Sequence, residues 1–104
     1  AQQVEAGVSR LLTLAAVMWL SVSAYTPYEC GGNHWAASGA WCTEGVTVAC
    51  NVLPFGTRVK VLGHVYTVQD RMASGWRRHL DIFMEDYGEA VQFGRRELPV
   101  EVLE

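Results

Sequence analysis

The sequence predicts a mainly β fold, a small barrel of six short strands with one or two short helices. Three observations predict it. From position 46 onward the apolar residues fall in short runs with period-two alternation, as strands with one buried face require. Turn residues such as Pro54, Gly56 and Gly63 separate those runs at close intervals. The chain has 104 residues, half of them apolar and 18% charged, which suits one globular domain and not a disordered chain. Many short strands in so small a domain point to a barrel.

Residues 1–20 read as an N-terminal extension, and the barrel is expected over residues 21–104. Arg10, LLTLAAVMWL and SVSA follow one another in the charged, apolar and small-residue order of an export signal. The apolar run is shorter than the roughly twenty residues of a membrane span, so stable membrane insertion is not expected. The plainer reading is a short helix over AQQVEAGVSRLLTL that leads into a first strand near Val17–Tyr25. Either way the segment leans towards an exported protein or one cut from a longer chain.

The later elements follow in order. VTVAC (46–50) is a strand, and LPFG (53–56) is a turn. TRVKVL (57–62) alternates Val59 and Val61 against Arg58 and Lys60. LGH (62–64) is a tight connection into VYTVQ (65–69), which makes a hairpin. HLDIFM (79–84) alternates again, with Leu80, Ile82 and Met84 on one face and Asp81 and Phe83 on the other. EDYGEAVQFG (85–94) reads as a helix stopped by Gly94. ELPVEVLE (97–104) is a last strand, and Pro99 suggests an edge.

A formal charge of −3 counts against nucleic acid as the main partner. Yet five of the eight basic residues, Arg71, Arg77, Arg78, Arg95 and Arg96, crowd the last third. The three cysteines form no CxxC pair, and the histidines show no ligand spacing, so neither a metal nor another cofactor is expected. A Cys30–Cys42 bridge across ECGGNHWAASGAWC remains open, since the compartment decides it.

The stretch VYTVQDRMASGWRRHLDIFM carries the candidate chemistry. Asp70 closes one strand, where its side chain can reach over the rim. Asp81 points away from the Leu80/Ile82/Met84 face, into solvent or a cleft. Trp35, Trp41 and Trp76 lie in loop-like stretches, as core lids or as stacking platforms for sugar rings.

The words SAYTPYECGG (23–32), AASG (36–39), VTVACN (46–51), LPFGT (53–57), VYTVQD (65–70), HLDIFM (79–84) and EAVQFGRRELPVEVL (89–103) together resemble the three-aspartate domain of bacterial cell-wall enzymes. That family is related to the barrel of membrane-bound lytic transglycosylase A and to rare lipoprotein A. The resemblance implies a six-stranded double-psi β-barrel whose groove binds glycan strands of peptidoglycan, in an extracytoplasmic protein of bacterial or phage origin. It implies Asp81 as the catalytic acid/base with Asp70 as its supporting neighbour. Asn51, Tyr25, Glu29, Arg71, Arg78 and Trp76 are expected to contact substrate. Asn51 stands where the family has its first aspartate, RMASG (71–75) replaces a glycine-rich run, and Ala36 replaces a threonine.

The implied reaction is lytic transglycosylation. One carboxyl group protonates the leaving oxygen and then accepts the proton of the muramic acid C6 hydroxyl, leaving a 1,6-anhydro end. Hydrolysis would usually need a second carboxylate. The alternative is a non-catalytic, expansin-like barrel that grips glycan.

Overall fold

The computed structural model describes residues 13–30 and 32–104, apart from the side chains of Glu29 and Cys30. The expected N-terminal helix lies almost wholly outside the described residues, as does any bridge from Cys30. Six strands close into a barrel: β1 (Leu14–Tyr25), β2 (Thr47–Cys50), β3 (Arg58–Val61), β4 (His64–Asp70), β5 (His79–Phe83) and β6 (Arg96–Leu103). A 3-10 turn spans Pro27–Cys30, and among the described residues one α-helix, α1, spans Tyr87–Phe93. Strand pairing begins at Leu14, opposite Leu103, and so starts before residue 21.

Around the barrel the order is β1-β5-β2-β4-β3-β6, with β6 returning to β1. The pairs β1–β5 and β2–β4 are parallel, and the other four are antiparallel. Exchanging β1, β2 and β3 for β4, β5 and β6 reproduces the same pairings. The chain is therefore two β-β-β halves related by an approximate two-fold, an arrangement compatible with a double-psi barrel.

The core follows from alternation. Leu20 and Val22 of β1, Val48 and Cys50 of β2, Val59 and Val61 of β3, and Leu80 and Ile82 of β5 point inward. Val68 and Val100 complete the buried set. Burying each such side chain contributes roughly 1.5–3 kcal/mol before the entropy of ordering is counted. A second cluster lies on the outer face, where Tyr25, Ala49 and Phe83 are covered by Ala36 and Cys42 of the loop 32–45.

The connection between β3 and β4 is the expected tight hairpin. Leu62 and Gly63 both take positive φ, 51° and 81°, as a type I′ turn demands. The helix α1 is capped by Asp86, whose carboxylate accepts from the Glu89 amide at 2.8 Å, and it stops at Gly94. The expectation that Pro99 marks an edge strand is corrected. β6 is paired on both sides, but β3 reaches only Glu101 to Leu103. Among the described residues only β1 pairs with Pro99, so the proline removes no bond to β3.

Candidate active site

The site is a transverse row across four strands. Ser23 of β1 sits beside Asp81 of β5 in the parallel pair. Asp81 sits opposite Ala49 of β2, and Ala49 faces Asp70 of β4. The row therefore reads Ser23, Asp81, Ala49, Asp70. Two strand spacings put the Asp70 and Asp81 backbones about 10 Å apart. Ala49, with no side chain beyond Cβ, forms a low floor between two acids.

Asp70 reaches this row through a bulge. Val48 pairs with Val68 but Ala49 pairs with Asp70, so Gln69 and Asp70 together oppose one residue. Strict alternation would have put Asp70 on the same face as core residue Val68. The extra residue turns it outward instead. The bulge is held on both sides: Gln69 Oε1 accepts from the Thr47 hydroxyl at 2.7 Å, and its carbonyl accepts from the Ser38 amide at 3.1 Å.

The Asp70 carboxylate is saturated, with the Cys42 thiol as a fourth, longer donor to Oδ2 at 3.9 Å. Oδ2 accepts from the Tyr25 hydroxyl at 2.8 Å, and Oδ1 accepts from the amides of Ala37 (2.8 Å) and Arg71 (2.9 Å). The residue is only 9% exposed. Burial, followed by the adjacent Asp70 carboxylate, pushes the Tyr25 phenol well above its usual range. Tyr25 is thus held as a neutral donor to the Asp70 side chain.

Asp81 is the open carboxyl. Its Oδ1 accepts from the Ser23 hydroxyl and lies 3.1 Å from His79 Nε2. His79 Nε2 also lies 2.7 Å from Ser23 Oγ. With the Ser23 proton given to Asp81, a proton on His79 Nε2 satisfies both oxygens. Among the described residues no hydrogen bond reaches Oδ2 of Asp81. Oδ2 is therefore the oxygen left open to the cleft.

Asp70, Asp81, Tyr25, Ala49 and His79 line a cleft of about 330 Å³, closed on one side by Arg71–Ala73 and Trp76. Of the expected site residues, Asp81, Asp70, Tyr25, Arg71 and Trp76 come together here. Arg71 lies over the Phe55 ring at 3.8 Å and donates to the Cys50 carbonyl at 2.8 Å. Trp76 packs edge-on against His79, with ring centroids 5.0 Å apart. Arg78 is exposed and its guanidinium is spent on the Trp19 carbonyl. Glu29 falls outside the described side chains.

Asn51 contacts the loop after Asp70. Its Oδ1 accepts from the Met72 amide at 2.9 Å, and its Nδ2 donates to the Ala73 carbonyl at 2.9 Å. It fixes the cleft wall through both ends of its amide. An aspartate here would set a carboxylate oxygen against the Ala73 carbonyl, so the amide suits this loop.

Sequence reading missed Ser23 and His79. His79 was within reach, because period two puts it on the Asp81 face. Ser23 was not, because only the parallel β1–β5 pairing brings it beside Asp81. Among the described residues, no group of three or more His, Cys, Asp or Glu is placed to hold a metal ion. No described helix is long and apolar enough to cross a membrane. No family model and no curated protein matches this chain.

Proposed function

We propose that the cleft is the active site of a peptidoglycan lytic transglycosylase of the three-aspartate type, with Asp81 as its single acid/base. One observation carries the reading: the cleft holds one open carboxyl and one saturated carboxylate. Protonated Asp81 gives its Oδ2 proton to the glycosidic oxygen as the bond from C1 of the muramic acid breaks. The resulting carboxylate takes the proton of the C6 hydroxyl as that oxygen bonds to C1. Nothing is consumed but the glycosidic bond, and the acid is regenerated.

The supporting chemistry is local. The Asp70 carboxylate, held in place by the neutral Tyr25 phenol, adds negative potential opposite a developing oxocarbenium charge. Asp70 already accepts from Tyr25, Ala37, Arg71 and Cys42, so it is a poor base for water and a poor nucleophile. That favours an internal hydroxyl over hydrolysis, which asks for a second working carboxylate. Ser23 and His79 are positioning residues that fix which Asp81 oxygen faces the substrate.

The test is a digest of purified peptidoglycan with products read by mass spectrometry. Wild type is expected to release anhydro-muropeptides, and Asp81→Asn, which keeps the Ser23 contact, is expected to release none. Reducing-end products would instead mean hydrolysis. A second reading, a barrel that grips glycan without cutting it, draws on the exposed tryptophans. Pelleting of wild type with the polymer and no soluble product would select it.

A further inference from the structure

Two exposed indoles stand outside the cleft. Trp35 and Trp41 are 61% and 53% exposed, and their rings meet nearly at right angles (85°) with centroids 4.9 Å apart. An isolated β-bridge joins the two residues. The Cys42 amide donates to the His34 carbonyl at 2.7 Å, and the Trp35 amide donates to Asn33 Oδ1 at 2.9 Å. The His34 ring stacks on Trp41 within 7° of parallel and pairs with Glu85 at 3.2 Å. This is a preformed corner whose side chains lose little freedom on binding.

Its position gives it meaning. On the outer face of β5, His79, Asp81 and Phe83 follow at period two. Trp76 packs on His79, and His34 packs on Phe83 with centroids 5.8 Å apart. His79 and Phe83 are four residues apart, about 13 Å along a strand, with Asp81 midway. Aromatic surfaces therefore flank Asp81 on both sides along one line. The same loop reaches the cleft directly, since the Ala37 amide is bonded to Asp70.

We propose that the Trp35–Trp41 corner is a second saccharide subsite, which seats a pyranose ring of the same chain that crosses Asp81. This rests on the glycan reading of the cleft. Indole faces take the C–H face of a sugar, and the Glu85 carboxylate and Asn33 beside them accept from hydroxyls. The carboxylate also disfavours an anionic polymer such as nucleic acid. A chain anchored on both sides of Asp81 is cut internally, and short fragments that reach one platform bind weakly.

The probe is a set of N-acetylglucosamine oligomers from two to six rings, followed by the indole N–H signals of the wild-type chain in NMR. Trp35 and Trp41 signals are expected to move with the longer oligomers and not with the dimer. Trp35→Ala is expected to weaken binding of the longest oligomer at least tenfold and to leave the dimer's affinity unchanged. Trp35 is exposed enough for the barrel to survive its loss, and the dispersion of the remaining signals checks this. Shifts confined to Trp76, or a Trp35→Ala variant that binds the hexamer as wild type does, would overturn the subsite and leave the cleft reading standing. Shifts at Trp35 and Trp41 from a chain that never releases anhydro products would keep the subsite and remove the enzyme. Indole signals that move only with protein concentration would mark a contact between copies and overturn the proposal.

Discussion

Replacing Asp70 probes the clamp that builds the cleft. In Asp70→Ala four donors lose their acceptor: the buried Tyr25 hydroxyl, the amides of Ala37 and Arg71 and, more weakly at 3.9 Å, the Cys42 thiol. A buried donor left unpaired costs about 1–3 kcal/mol, and each partly wet amide about 1 kcal/mol, which sums to roughly 3–5 kcal/mol. That is a large share of the roughly 5–15 kcal/mol that stabilises a typical domain. Asp70→Asn is the graded partner. Its Oδ1 still accepts from both amides, and its Nδ2 donates to a Tyr25 hydroxyl turned round towards the Cys42 sulfur, 3.8 Å away. Only the charge assistance goes, at about 1–2 kcal/mol, or a fall in Tm of roughly 4–16 °C for a domain of this size. Urea melts of both variants, read by tryptophan fluorescence and circular dichroism, give the two values. Hydrogen exchange at Ala37 should accelerate in the alanine variant and much less in the asparagine variant. An alanine variant as stable as wild type, with Ala37 still protected, would refute the clamp and with it the argument that Asp70 is unavailable as a base.

Three further outcomes follow from the same contacts. Leu62 sits at positive φ with its side chain exposed, so Leu62→Asn should stabilise the hairpin by about 0.5–1 kcal/mol, and a lower Tm would count against the turn assignment. Asn51→Asp places a carboxylate oxygen against the Ala73 carbonyl and should cost about 1–2 kcal/mol at neutral pH, whereas unchanged stability would mean that the loop swings free of residue 51. Tyr25 keeps its proton in the folded chain above pH 10, while the unfolded phenol, with a pKa of about 10, loses it. Below pH 10 that term is constant, and above it stability falls by up to about 1.4 kcal/mol per pH unit for this group. Tyr66, also raised by burial, adds a slope of the same sign. Alkaline urea melts should show a shallower slope in Tyr25→Phe, and an identical slope would show that the phenol ionises without unfolding.

The arrangement also bears on the positions where the sequence departs from the three-aspartate pattern it resembles. With Asn51 tied to Met72 and Ala73, position 51 shapes the wall and adds no charge to the cleft. The bulkier RMASG run is what it holds, and Arg71 is parked on Phe55 and the Cys50 carbonyl. The function proposed above needs one acid, not three.

The sequence by itself determined the strands and the inward faces. Val59 and Val61, and Leu80 and Ile82, alternate with polar neighbours, and period two leaves a strand no other way to bury them. It also determined the hairpin at Leu62–Gly63, because the tight turn depends on neighbouring residues alone, and the outward aim of Asp81. Closure was decided elsewhere. The parallel pairings of β1 with β5 and of β2 with β4 join residues 58 and 20 or 21 apart in the chain, and no local pattern specifies such partners. Closure gave β6 neighbours on both sides despite Pro99 and set Ser23 against Asp81. The aim of Asp70 was decided by one bulge residue, Gln69, whose bonds to Thr47 and Ser38 exist only once β2 and the loop 32–45 are in place. Alternation sends Asp70 into the core, and tertiary hydrogen bonding turns it out to face Asp81.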